Sequence, residues 1–213
     1  GVFITGDEFS IRKAMKTCCT YAIGSKVIEE TYDYRMNIEE EELWINNFGK
    51  DNFEKSIEVI HAVEEKFDVA YTDYSFRMLA EYLSIQLFRT RMGNVITEDI
   101  YIPETFNRNE SLVNMVVEYF EQLGKVNLNE YEKQYIDILF ASAAVQTVEN
   151  ANKVHMISEF EEKNKEICEE MLEYLSEILN INLLDNELLR TSLEGFIPAS
   201  IVRTAYGIEV KNP

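Results

Sequence analysis

Two stretches of the chain carry the same spacing of apolar residues, and this repetition limits the folds that the sequence can adopt. At a separation of 114 positions, identical residues include Leu79, Arg89 and Gly93, which coincide with Leu193, Arg203 and Gly207. Apolar residues also coincide without a gap: Phe53, Ile57, Ile60, Phe67, Val69, Leu83, Leu87 and Phe88 correspond to Ile167, Met171, Tyr174, Ile181, Leu183, Ile197, Ile201 and Val202. Such a repeat indicates a structural unit that occurs once in full and then again in part.

The spacing within each stretch is helical. Phe53, Ile57, Ile60, Val63 and Phe67 recur every three or four residues, which places them on one face of a helix. With three Pro and eight Gly in 213 residues, long segments contain no helix breaker. The sequence therefore predicts an all-α fold. The predicted helices span residues 8–23, 32–48, 51–67, 72–91, 109–123, 129–146, 158–181 and 185–205.

Local signals mark several helix ends. Asp7 is suited to be the N-cap of the first helix, and Gly93 and Gly124 are suited to close later ones. Trp44, the only tryptophan, and Leu43 are expected to dock on the core from a short amphipathic helix. Pro198 predicts a bend in the last helix.

The charge of the chain is strongly negative. A formal charge of −19 repels phosphate, so we expect that these residues do not themselves bind DNA or RNA. Three cysteines without a CxxC pair are typical of a reducing cytosol. No signal peptide and no apolar run of about 18 residues is visible. The sequence predicts a cytoplasmic protein without a membrane span.

The segment LLDNELLRTSLEGFIPASIVRTAYGIEVKNP, residues 183–213, is similar to the first half of a PTS-regulation domain. In that family, an acidic residue and a Leu precede a helix that reads Leu-x-x-His-Leu. An Arg, a Gly four residues later and an Asn-Pro pair follow. The matching residues here are Asp185, Leu188, Leu193, Arg203, Gly207, Asn212 and Pro213, and the first stretch matches through Leu79, Arg89 and Gly93.

Two further segments resemble the same family. Residues 126–143, VNLNEYEKQYIDILFASA, resemble its closing helix, with Glu132 at the position of a Glu that opens a run ending in His. Residues 2–15, VFITGDEFSIRKAM, resemble the segment that follows the winged-helix DNA-binding domains of BglG-, mannitol-operon- and Mga-type regulators. The matching residues are Gly6, Asp7, Glu8, Ile11 and Arg12.

The resemblance implies tandem five-helix bundles preceded by a short helical segment. Residues 1–48 would follow a DNA-binding region that is absent here, 49–150 would form the first bundle, and 151–213 would form the first half of the second. In this family the bundles form homodimers, and sugar-phosphotransferase proteins phosphorylate their histidines to change association and nucleic-acid binding. We therefore expect the chain to be part of a longer protein that contacts DNA only through that absent N-terminal domain.

The sequence departs from the family at the phosphorylated positions. Counting from Arg89, Arg203 and Glu132 places the histidines of the family at Tyr82, Phe196 and Leu139, none of which can form a phosphoimidazole. The two histidines of the chain, His61 and His155, lie elsewhere. We expect both to be structural or solvent-exposed.

Signatures of other chemistry are absent from the sequence. It contains no GxGxxG, GxxxxGK[ST], GxSxG or HExxH motif, and its paired acids are expected to be solvated helix faces. We therefore expect no catalytic residue, no cofactor and no metal site. Arg89 and Arg203 remain open to two interpretations: they close helix C-termini or pair with carboxylates, or they receive an anion such as a phosphoryl group.

The leading functional hypothesis is a regulatory and dimerisation module of a DNA-binding transcription regulator, with phosphotransferase-system proteins as possible partners. The alternative is a helical interaction or scaffold domain unrelated to transcription, in which the repeat is a generic helical array. Winged-helix patterns before Gly1 in the full gene would distinguish the two.

Overall fold

A computed structural model describes residues 3–20, 33–36, 38–102, 109–146 and 160–209. Within these residues the chain is all-α, as the sequence predicts. Its helices are α1 (Glu8–Thr20), α2 (Ile38–Phe48), α3 (Lys50–Phe67), α4 (Asp73–Arg91), α5 (Glu110–Gln122), α6 (Glu130–Ala141), α7 (Phe160–Leu179) and α8 (Glu187–Tyr206). No helix in this part of the chain is long and apolar enough to cross a membrane.

Side-chain caps start most of these helices. Asp7 accepts a hydrogen bond from the backbone N–H of Ser10 at 2.8 Å, as its predicted N-cap role requires. Thr72, Asn109 and Asn129 do the same for α4, α5 and α6, and Asn186 does so for α8. Each cap satisfies a backbone donor that the first helical turn leaves without a partner.

Helices α3 to α6 form a bundle in which α4 is central, and we refer to these four helices as the first bundle. Helix α4 is buried along most of its length and packs against α1, α2, α3 and α6, while α5 covers α3 and α6. Phe53, Val63, Leu79 and Leu83 have no exposed surface, and Trp44 is only 1% exposed. The docking of Trp44 that the sequence predicts is therefore confirmed.

Two predicted boundaries are wrong. α2 begins at Ile38 instead of residue 32, because Asp33 to Met36 form a turn in which Arg35 holds the Asp33 carboxylate at 2.9 Å. α6 ends at Ala141 instead of residue 146, because residues 144–146 pair with residues 70–72 in an isolated antiparallel bridge. The predicted extension of α1 to residue 23 and the predicted start of α7 at residue 158 lie outside the described residues.

α8 continues through Pro198 without an interruption. A proline inside a helix has no N–H for the carbonyl four residues earlier, which here belongs to Glu194. Asn164 of α7, itself 7% exposed, donates its side-chain N–H to that carbonyl at 2.9 Å. The α7–α8 pair thus replaces the hydrogen bond that the proline removes.

Candidate functional site

α1 is fastened to the first bundle by buried ion pairs. The guanidinium of Arg12 donates to the carboxylate of Glu132 at two points, each with a nitrogen–oxygen distance of 2.6 Å. Neither side chain has any exposed surface. A two-point pair of this kind fixes direction as well as distance, because the planar donors match the planar carboxylate.

The second ion pair joins Glu8 of α1 to Arg89 of α4, with nitrogen–oxygen distances of 2.9 and 2.7 Å. Glu8 also accepts from Arg12 at 3.0 Å, so the four side chains form one chain of alternating charge. We refer to Glu8, Arg12, Arg89 and Glu132 as the anchor cluster. Burial raises the pKa of Glu8, but the hydrogen bond from Arg89 and the charge of Arg12 outweigh it, so the net pKa is lowered.

Glu132 is held in place by neighbouring elements. It stands in the first turn of α6, where the Asn129 cap accepts its backbone N–H at 2.9 Å. Its carboxylate accepts from the Gln86 side chain at 2.9 Å and from the backbone N–H of Ile96 at 2.8 Å. With Arg12 these donors compensate the loss of water around a fully buried charge.

Tyr135 completes the surroundings of Arg12. The guanidinium lies 5.0 Å from the centre of the Tyr135 ring, a distance suited to a cation–π contact, and Phe9 of α1 packs edge-on against the same ring. Burial raises the pKa of Tyr135 well above its ordinary value, so its hydroxyl stays neutral. Arg12 is therefore enclosed by aromatic and carboxylate groups.

Other side chains of α1 contact the end of α8 and the residues that follow it. Lys13 donates to the backbone carbonyl of Tyr206 at 3.1 Å, and Lys16 donates to the carbonyl of Glu209. Thr17 donates to the Glu209 carboxylate at 3.2 Å. A cation at the carbonyl end of a helix is electrostatically favourable. α1 thus joins the first bundle to the α7–α8 pair.

The three positions that the sequence resemblance aligns with phosphohistidines lie in different surroundings. Tyr82 is buried on α4, and its hydroxyl accepts from the backbone N–H of Glu209 at 3.4 Å. Leu139 has no exposed surface and belongs to the hydrophobic core. Phe196 is 53% exposed on α8, with the guanidinium of Arg203 at 5.0 Å from its ring centre.

The two arginines at equivalent positions of the repeat also differ. Arg89 is engaged by Glu8 in the anchor cluster. Arg203 donates to the backbone carbonyl of Ser142, at the end of α6, at 3.0 Å and to the Ser200 hydroxyl at 2.7 Å. Desolvation lowers the pKa of Arg203, and no carboxylate of the described residues offsets that effect.

His61 stands 46% exposed on α3. Its Nε2 lies 3.0 Å from Asp33 and its Nδ1 lies 3.4 Å from Glu64, and Arg35 contacts both of these carboxylates. This cluster holds the 33–36 turn against α3. Because the 33–36 turn and α3 are separate segments of the sequence, spacing gives no signal that their side chains meet. His155 lies outside the described residues.

The arrangement is suited to positioning a helix. Among the described residues, no group of three or more His, Cys, Asp or Glu side chains is placed to hold a metal ion. The ionised groups of the anchor cluster pair with one another, which makes them suited to transmit position between α1, α4 and α6. Comparison of the chain with known protein families, with curated proteins and with solved structures found no match.

Proposed function

We propose that this chain is the regulatory and dimerisation module of a DNA-binding transcription regulator linked to the sugar phosphotransferase system. The observation that carries the proposal is the Arg12–Glu132 pair. It joins the segment that resembles the connection after a winged-helix domain to the segment that resembles the closing helix of a PTS-regulation domain. Two resemblances that were drawn separately thus come together in one contact.

In this proposal α1 passes the state of the bundles to the DNA-binding region before it. A helix held only by apolar contacts can rotate or slide, whereas a buried two-point ion pair allows few alternatives. The anchor cluster fixes α1 on α4 and α6, and Lys13 and Thr17 link it to the end of α8. A shift of either bundle would therefore move α1.

The positions of the helices support a tandem arrangement. The caps Thr72 and Asn186 stand 114 positions apart, as do Gly93 and Gly207, both of which close their helices with positive φ. α3 and α4 pack as one pair, and α7 and α8 pack as another. The second pair would be the beginning of a second bundle.

Self-association is supported by an apolar stripe that runs along α7 and continues at Ile181, two residues beyond its end. Met171, Tyr174, Ile178 and Ile181 are 40–65% exposed. Their alternating spacing of three and four residues is that of a helix–helix seam. The other stripe of α7, represented by Leu172, is already buried where α7 packs on α8. We propose that a second copy of the chain covers the exposed stripe.

The oligomeric state tests this part of the proposal. Light scattering after size exclusion should give a dimer at high micromolar concentration, and Tyr174→Asp combined with Ile178→Asp should give a monomer. Met92→Asp, at an equally exposed apolar residue outside the stripe, is the matched control and should remain dimeric. A wild-type chain that stays monomeric at high micromolar concentration contradicts the dimer.

A reporter tests the regulatory role. A DNA-binding domain that occupies its operator only as a dimer should repress when it is fused before residue 1. The Tyr174→Asp/Ile178→Asp change should abolish repression at equal protein level. Repression that persists in the double variant would show that the stripe does not drive assembly, and absence of repression by the wild-type fusion would favour the scaffold alternative.

Phosphorylation at the positions of the family is not part of the mechanism that we propose. Tyr82, Leu139 and Phe196 carry no imidazole, so incubation with the general phosphotransferase proteins and phosphoenolpyruvate should leave the chain unlabelled. Stoichiometric labelling of any residue, located by mass spectrometry, would overturn this view and would show direct control by the phosphotransferase system.

A further inference from the structure

A cleft opens between the first bundle and α8. One wall is formed by the start of α4 and residues 144–146, and the other by α8 and the residues that follow it. Its volume is about 880 Å³, which is within the range of pockets that bind small molecules. Thr72, Asp73, Phe196, Arg203 and Glu209 are among the residues that line it.

Arg203 is the feature of this cleft that calls for a ligand. Six of the seven arginines in the described part of the chain form an ion pair with a carboxylate. Arg203 does not, although acidic residues outnumber basic ones by 39 to 20. Its hydrogen-bond partners are a carbonyl and a hydroxyl, neither of which neutralises its charge, and burial partly desolvates that charge. An anion would supply the missing compensation.

The first turn of α4 adds to the attraction for an anion. Backbone N–H groups of the first helical turn have no partner inside the helix, and their dipoles favour negative charge. Thr72 caps the Ser75 N–H, and the helix begins at Asp73 on the wall of the cleft. This contribution supports the charge of Arg203 and is the weaker of the two.

Apolar groups line the same space. Phe196 exposes 53% of its surface beside Arg203, and Tyr74, Ala144 and Ile208 also border the cleft. An aromatic ring next to an unneutralised guanidinium offers a stacking surface to a ligand whose anionic end reaches the cation. Inorganic phosphate would leave this surface unused.

Two carboxylates restrict the ligand further. Asp73 and Glu209 line the cleft but neither pairs with Arg203. They would repel a second anionic group elsewhere on the ligand and would accept hydrogen bonds from hydroxyl or amino groups. A ligand with one anionic group for Arg203, an apolar body for Phe196 and a hydrogen-bond donor for Asp73 or Glu209 therefore fits the cleft.

We propose that this cleft binds a small organic anion, in which a single carboxylate or phosphate monoester contacts Arg203 and an apolar or aromatic body packs on Phe196. The ligand lies between α4 and α8. Tyr206 and Glu209, at and after the end of α8, also contact α1. A shift of α8 on ligand binding would therefore be passed to α1. The site stands on the cleft itself and does not require that the chain regulate transcription.

Titration with three related probes tests the site. We expect 4-hydroxybenzoate or phenyl phosphate to bind the full chain in NMR titrations and to do so at least tenfold more tightly than the neutral 4-hydroxybenzamide. Arg203→Gln should weaken binding of the anion at least tenfold. Arg190→Gln, which removes an arginine of the same helix from an exposed pair with Glu169, is the matched control and should bind as the wild type does.

A second variant keeps the test valid if Arg203→Gln proves unstable. Thr204→Asp places a carboxylate at an exposed position on the wall of the cleft and should abolish anion binding while the circular dichroism of the chain stays unchanged. Preference for the carboxylate over the phosphate, or the reverse, identifies the anionic group. The proposal is overturned if neither anion binds more tightly than the amide, or if folded Thr204→Asp binds as the wild type does.

Discussion

Arg12 and Glu132 stand 120 residues apart in the sequence and face each other through two nitrogen–oxygen contacts of 2.6 Å, with neither side chain exposed. The pair determines where α1 lies on the bundle. Its removal from one side only would leave the other charge buried without compensation, which is the costly case for a buried ion pair.

Arg12→Met should therefore destabilise the chain by about 3–5 kcal/mol, because Glu132 would keep its buried position without its counter-charge. Urea unfolding followed by circular dichroism measures the loss. Arg190→Met removes an exposed pair and should cost no more than about 1 kcal/mol. A loss for Arg12→Met as small as that for the control would mean that water reaches Glu132.

The stability of the chain should depend on the ionisation of Glu8. Its pKa in the folded state is lowered from an ordinary value of 4.5, despite the opposing effect of burial. Its contribution is therefore fully present above pH 4.5 and is lost as the pH falls through the lower folded value. The difference in free energy of unfolding between wild type and Glu8→Gln, measured by urea titration at several pH values, should shrink below pH 4.5. A constant difference down to pH 3 would contradict the folded pKa shift.

Gly124 and Gly93 should respond differently to substitution by alanine. A Cβ at Gly124 would lie 2.4 Å from the carbonyl oxygen of Phe120 and 3.0 Å from Leu87, so Gly124→Ala should cost about 1–3 kcal/mol or more through overpacking. Gly93 has a φ of 79° and open space around it, so Gly93→Ala should cost only the left-handed backbone conformation, about 1–2 kcal/mol. Thermal unfolding of both variants checks the order, and Gly93→Ala as the less stable variant would contradict it.

Tyr71→Phe should leave the stability unchanged or raise it by up to about 1 kcal/mol, because the Tyr71 hydroxyl is fully buried and has no hydrogen-bond partner among the described residues. Tyr119→Phe is the comparison, since its hydroxyl donates to Glu58 at 2.6 Å and its removal should cost about 0.5–1.5 kcal/mol. Urea midpoints distinguish the two. Marked destabilisation by Tyr71→Phe would reveal a bound water at that hydroxyl.

The sequence predicts the helices well because most helix ends are determined by residues at or next to those ends. Asp7 caps α1 by accepting from the N–H of Ser10, three residues later, and Gly93 ends α4 with a positive φ, as their residue types indicate. The boundaries that fail depend on distant partners. α6 ends before residue 146 because residues 144–146 pair with residues 70–72, and the sequence near residue 142 contains no local signal of this pairing.

The contacts of the candidate site could be foreseen only in part. The resemblance singles out Glu8, Arg12 and Glu132 separately, and spacing along the chain cannot say that Arg12 meets Glu132. The repeat treats Arg89 and Arg203 as equivalent. The structure separates them, because α1 brings Glu8 to Arg89, while no carboxylate in the described part of the chain pairs with Arg203.

Because of the hydrogen bond from Asn164 to the carbonyl of Glu194, the residue that is favoured at position 164 depends on the residue at position 198. As long as residue 198 is a proline, loss of the amide at position 164 would leave the carbonyl of Glu194 without its hydrogen-bond donor between the two helices. If residue 198 had an N–H, that N–H would bond the carbonyl of Glu194. The Asn164 amide would then be a buried polar group without its acceptor, at a site that favours an apolar side chain. Substitutions at 164 and 198 are therefore expected to be tolerated jointly more readily than singly, and homologous chains should show the two positions changing together.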